Sequence, residues 1–160
     1  MKNTLRIFTL CLSILITHQL SFGQVTKKQL EKTFNDLQAL VAGKGEACGA
    51  SNTVVGDLDG DGDVDGIVQY SCTMGGGNMV VRNGWTIWIN DGKQLKPVLH
   101  EQSLVGTWPR GISNGVILAR FDKHKPGDAS CCPSIKIPKK YKLELKKMGF
   151  SKWYELKEVK

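Results

Sequence analysis

The spacing of apolar residues changes once along the chain, from helical to alternating. Leu30, Phe34, Leu37 and Val41 recur at intervals of three or four, with Leu40 widening the stripe. Thr26-Lys27-Lys28-Gln29 stands ahead of them as a capping box and Gly43 supplies a stop, so the spacing predicts an amphipathic helix over 26–42. After it the period becomes two. Thr53 to Gly56, Ile67 to Thr73, Met79 to Arg82, Trp85 to Asn90, Gln94 to His100, Leu104 to Ile112, Val116 to Asp122, Ser134 to Leu143 and Phe150 to Glu158 read as short strands. Gly75-Gly76-Gly77, Asn83-Gly84, Asn90-Asp91-Gly92 and Asn114-Gly115 carry hairpin chemistry between them. The expected fold is α+β: an N-terminal helix packed on a twisted antiparallel β-meander, stapled by disulfides.

Ahead of the helix, Lys2 and Arg6 precede an apolar run from Ile7 to Ile16, and Ser21-Phe22-Gly23 offers small residues to a signal peptidase. Residues 1–23 therefore read as a signal peptide, because spanning a bilayer takes about 20 predominantly apolar residues and this run is shorter. Cys11 follows Leu10 and lies too early for a lipoprotein anchor. The expectation is an exported protein, periplasmic or secreted, with no membrane span after processing. One globular domain, 24–160, would hold a helical segment at 24–44 and a β domain with a metal loop at 45–160.

Composition narrows the class further. With 41% hydrophobic and 23% charged residues, the chain is neither disordered nor a multi-span membrane protein, and its 18 glycines suit many turns. The formal charge of +7 falls to +5 without Lys2 and Arg6, and it is unevenly spread. Residues 57–65 hold five aspartates and no base, whereas 136–160 hold nine lysines against Glu144, Glu155 and Glu158. Lysines alternating with Ile137, Tyr141, Leu143, Leu145, Trp153 and Leu156 read as the solvated face of a strand, with the apolar residues inward. Lysine without arginine lacks the bidentate fork that dominates phosphate recognition, so weak polyanion affinity and no dedicated nucleic-acid role are expected.

The aspartates have a spacing with chemical meaning. Asp57, Asp59, Asp61 and Asp65 fall at positions 1, 3, 5 and 9 of D-x-D-x-D-G-x-x-D, Asp63 would give its carbonyl at position 7, and Gly62 makes the sharp turn. Oxygen ligands in this order wrap a hard cation of calcium size, so Ca2+ is the expected cofactor. An EF-hand would close with a glutamate at position 12, where this chain has Val68. Gly-Asp-Leu-Asp-Gly-Asp-Gly-Asp-Val-Asp-Gly-Ile-Val, Gly56 to Val68, resembles the calcium loop of FG-GAP and VCBS repeats. That resemblance implies a structural calcium. Those families build propellers from several copies, and with one copy here only the loop carries over.

Cys48, Cys72, Cys131 and Cys132 are an even set, which in an exported chain reads as two disulfides. The favoured pairing joins Cys48 and Cys72 each to one of Cys131 and Cys132; the alternative is a Cys48 to Cys72 bridge with the other two reduced or bonded to each other. A zinc site is disfavoured, since C-x-x-C spacing is missing. The Asp loop, Cys72 with Gly75 and Gly76, and Asp128-Ala129-Ser130-Cys131-Cys132-Pro133-Ser134 also resemble a group of small exported bacterial proteins over about residues 45–155. This second resemblance implies architecture and compartment and no chemistry.

No catalytic set stands out. His124, Asp128, Ser130 and Cys131 are close in sequence, but Ser130 lacks a nucleophile-elbow motif and an oxidised Cys131 is no nucleophile. The glycine run at 75–77 lacks the Lys-Ser or Lys-Thr of a phosphate loop. In Trp85 to Asn90 alternation puts Trp85, Ile87 and Ile89 on the buried face and leaves Trp88 outward. Trp88, Lys139 and Lys140 are therefore the candidate binding residues. The expected function is an exported, calcium-stabilised binding or structural module for an envelope or extracellular protein or polysaccharide. An exported inhibitor or immunity-type protein binding an acidic partner comes second, and a hydrolase third.

Overall fold

A computed structural model describes residues 24–75 and 77–160. The signal peptide expected at 1–23 and Gly76 of the glycine run lie outside the described residues. The expected α+β meander is corrected. Among the described residues the fold is mostly β, two four-stranded antiparallel sheets with one short α-helix. The first sheet holds β1 (Glu46–Gly56), β2 (Asp65–Met74), β3 (Val80–Asn90) and β4 (Leu95–Glu101), hydrogen-bonded in that order. The second holds β5 (Thr107–Ser113), β6 (Val116–Lys123), β7 (Ile135–Met148) and β8 (Ser151–Val159), likewise in sequence order. Alternation of period two is the same for one meander or two stacked sheets, so the sequence pattern does not show where the chain leaves the first sheet. It leaves between β4 and β5, in a turn where Thr107 N–H donates to the Leu104 carbonyl (3.0 Å).

The two sheets bury a common core. Val54, Ile67, Trp85, Ile87 and Ile89 from the first meet Ile117, Ala119 and Tyr141 from the second. Trp85 stands edge-on to Tyr141 at 5.8 Å between ring centroids, a favoured aromatic geometry. Its indole N–H donates to the Thr107 carbonyl (3.2 Å), so this buried ring leaves no polar atom unmet. β1 runs beside β5, tied by the Asn52 side-chain amide donating to the Pro109 carbonyl (2.7 Å).

The helix, α1 (Lys27–Asp36), starts as the capping box requires: Thr26 Oγ1 accepts from Gln29 N–H, and the Gln29 side chain accepts from Thr26 N–H. It is shorter than the expected 26–42. Asn35 and Asp36 are poor in a helix interior, and the chain tightens after them into a 3-10 turn, Gln38–Leu40. Leu30 and Phe34 cover the outer face of the first sheet, packing with Val68, Tyr70, Cys72 and Trp88. Trp88, expected to face outward, is consequently buried at 1% exposure. Alternation assigned it to the correct side of β3, and the helix covers that side. Arg82 fixes the chain end of this layer, donating to the Val41 carbonyl and pairing with Glu46.

Hairpin chemistry holds in part. At Asn114-Gly115 both residues have positive φ, 50° and 70°, as a type I′ turn between β5 and β6 demands. Asn83-Gly84 is instead interior to β3, paired with Ser71 and Tyr70. Here glycine answers to crowding: a Cβ at Gly84 would lie 2.6 Å from both the Glu101 carbonyl oxygen and Tyr70 Oη. Gly84→Ala is expected to cost about 1 to 3 kcal/mol, since backbone on one side cannot yield, and chemical denaturation checks it. A wild-type midpoint would mean that β4 is not held against β3 at this point.

Candidate metal centre

The loop between β1 and β2 places Asp57, Asp59 and Asp61 so that one carboxylate oxygen from each lies within 4.8 Å of the others. Calcium binds oxygen at about 2.3 to 2.6 Å, so two ligands of one ion lie at most about 5 Å apart, and the three carboxylates fit that limit. Backbone turns create the arrangement. Gly60 and Gly62 adopt φ of 86° and 92°, and their N–H groups donate to Asp57 Oδ1 (2.6 Å) and Oδ2 (3.2 Å). Asp61 and Asp63 N–H donate in turn to the Asp59 and Asp61 carboxylates, at 3.3 and 2.9 Å. Like charges gather in consequence: partial burial, then the Asp61 and Asp57 carboxylates, raise the Asp59 carboxyl above its ordinary range.

Asp63 and Asp65 stand outside this three-residue cluster. The Asp63 carboxylate lies toward Gly92, at 3.0 Å from where a Cβ there would sit. Asp65 is fully buried at the start of β2, where Oδ2 accepts from Leu58 N–H (2.7 Å) and Oδ1 from Asn90 N–H (2.8 Å). Burial pushes its carboxyl up to about 6, and Asp59 and Asp61 add to the rise against the two N–H donors. The position-9 aspartate thus ties the aspartate loop to the end of β3, a role that the motif spacing did not disclose.

The favoured cysteine pairing is corrected as well. Cys48 bonds to Cys72 and Cys131 to Cys132. Cys48 and Cys72 are register partners across β1 and β2, which brings their Cα atoms to 4.0 Å, while Cys131 and Cys132 lie on the exposed loop between β6 and β7. Glu46 lies near the first bridge, but sulfurs bonded to each other leave no thiolate for a metal there.

The remaining candidates separate. Lys139 shares the strand face of Tyr141 and pairs with Glu158, whereas Lys140 is exposed and has no ion pair among the described residues. Clefts lined by other residues lie away from the aspartate loop. One of about 270 Å³ lies between the 3-10 turn and the β3–β4 ladder, lined by Leu37, Leu40, Trp88, Pro97, Leu99 and His100. Sequence reasoning missed another, of about 680 Å³, where Trp108, Phe121, Asp122 and Lys136 face Cys131 and Cys132. Its only signal in the sequence was the Cys-Cys-Pro segment. His100 is engaged with Tyr70, and burial followed by the Arg82 charge lowers its pKa. Among the described residues, no helix is long and apolar enough to cross a membrane, and two disulfides are compatible with export. Comparison with protein-family models, curated proteins and solved structures finds no match.

Proposed function

We propose that this chain is an exported binding or structural module whose fold is stabilised by calcium in the Asp57 to Asp65 loop. The observation that carries the reading is the convergence of the Asp57, Asp59 and Asp61 carboxylates to within 4.8 Å in a loop that Asp65 anchors to β3. A cation there would offset the mutual repulsion of these groups and brace two strands of the first sheet. Asp63 is the remaining candidate donor, through its backbone carbonyl, and an all-oxygen set matches a hard cation better than zinc or copper. Export is supported by the apolar leader sequence and by cysteine usage. The reading gives catalysis no part: Cys131 is bonded to Cys132, and His100 is occupied by Tyr70.

Calcium is expected to raise the melting temperature. Binding to the folded state alone stabilises it by about 1.4 kcal/mol when free calcium is ten times Kd, and extracellular modules bind at ~0.1 to 1 mM. Asp59→Ala or Asp61→Ala should remove most of that gain. Thermal melts in EDTA and in millimolar calcium test it, and a wild-type melting temperature indifferent to calcium would sink the metal reading.

A further inference from the structure

We propose that the solvent face of the second sheet binds an acidic polysaccharide whose sugar rings carry carboxylates. This rests on the reading of the chain as an exported binding module and names its ligand class. The register of β5 to β8 gathers residues far apart in sequence onto this face. Trp108 lies across from Arg120, which lies across from Pro138; Leu118 from Lys140; Val116 from Lys142, and Lys142 from Lys157. Ile117, Ala119 and Tyr141, the residues between them, point into the core. Arg110 stands in the bulge between Pro109 and Gly111, exposed beside Trp108.

The charge of this face is unbalanced in one half only. Toward the β7–β8 turn, Lys146 and Lys157 are met by Glu144 and Glu155. In the other half Asp122 is shared by Arg120 and Lys136, at 2.7 and 3.0 Å, leaving one cation in excess. Arg110, Lys140 and Lys142 make no ion pair among the described residues. Along β7, Lys136 to Lys142 spans roughly 20 Å at ~3.3 Å per residue, so the excess forms a row and not a spot. Arg110 also supplies the planar fork that suits a carboxylate, which the lysine run by itself lacked, while the fork of Arg120 is taken up by Asp122.

The aromatic group beside the row decides between polyanions. Trp108, 37% exposed, lies next to Arg110 and Arg120 and at the mouth of the 680 Å³ cleft that Lys136 also lines. An indole face accepts the C–H side of a sugar ring while neighbouring cations take its carboxylate. An acidic polypeptide offers no ring to that face, and the exposed apolar side chains are split between its two ends, Trp108 and Leu118 in the charged half and Trp153 and Met148 toward the β7–β8 turn, so they do not make the single apolar patch of a protein interface core. A long cationic strip with an exposed tryptophan toward each end, Trp108 and Trp153, fits an extended acidic glycan.

The test is calorimetric titration of the full chain with hyaluronate oligosaccharides at about 150 mM salt, in calcium and again in EDTA. Neutral dextran, polyglutamate and single-stranded DNA are the other arms. Hyaluronate should bind and dextran should not, with polyglutamate and DNA at least about tenfold weaker. K140E/K142E should weaken hyaluronate by about thirtyfold and Trp108→Ala by about tenfold. K27E/K28E, the same charge change on the exposed side of α1, should alter it less than about threefold. Wild-type melting temperatures for these surface variants exclude unfolding as the cause. Equal binding of polyglutamate or DNA overturns the glycan assignment, and indifference to K140E/K142E overturns the face. A chain that ignores calcium in the melt but binds hyaluronate defeats the metal reading alone, and the converse defeats this one alone.

Discussion

Replacing Asp65 with alanine is expected to destabilise the protein by about 2 to 4 kcal/mol, even where no metal is present. The carboxylate is fully buried and accepts the Leu58 and Asn90 N–H groups at 2.7 and 2.8 Å, joining the metal loop to the end of β3. Truncation strands both donors, at about 1 to 3 kcal/mol each, while removing a buried carboxyl returns part of that cost. Asp65→Asn keeps one acceptor oxygen and should fall between wild type and alanine. Asp63→Ala, two residues away and outside both hydrogen bonds, should be near neutral in EDTA. Denaturant midpoints in EDTA separate this tie from metal binding, and an Asp65→Ala midpoint equal to wild type would show that the loop is not held by this side chain.

The two disulfides should differ sharply in what their loss does. Cys48 and Cys72 are 24 residues apart and join the first two strands, so replacing both with alanine should cost about 3 kcal/mol through the freed unfolded chain. For a domain of this size that corresponds to a fall in melting temperature of about 10 °C. Cys131 and Cys132 are adjacent and close no loop of chain, so breaking their bond should change stability by less than about 1 kcal/mol. Exposure sets the order of reduction. Cys72 is fully buried and Cys48 nearly so under α1, whereas Cys131 and Cys132 lie open on a loop. Mild reductant followed by alkylation and peptide mapping should label Cys131 and Cys132 first, with melting unchanged. Simultaneous labelling of all four, with loss of stability, would contradict this pairing.

Much of what could be read from the chain beforehand depends on neighbours in sequence. The capping box of Thr26 and Gln29, the Asn114-Gly115 turn and the Asp57 to Asp61 cluster are each formed within a few residues, so spacing alone locates them. Alternation also separated the two sides of β3 correctly, with Trp85, Ile87 and Ile89 in the inter-sheet core. The lysines of β7 that fall on its solvent face were visible by the same period of two.

Packing between distant segments decided the rest. The same alternation is compatible with one sheet or two, and only the step from β4 to β5 stacks them into a sandwich. Trp88 is buried because α1 covers its side of β3, and Gly84 lies within a strand because Tyr70 and β4 crowd it; neither neighbour is close in sequence. Cys48 meets Cys72 through strand register, Asp65 reaches Asn90 across 25 residues, and Arg110, Arg120 and Trp108 join the β7 lysines through two ladders. Periodicity specifies which side of an element is apolar, an interaction of each residue with solvent; it does not specify which other element meets that side, which is settled when distant surfaces exclude water together.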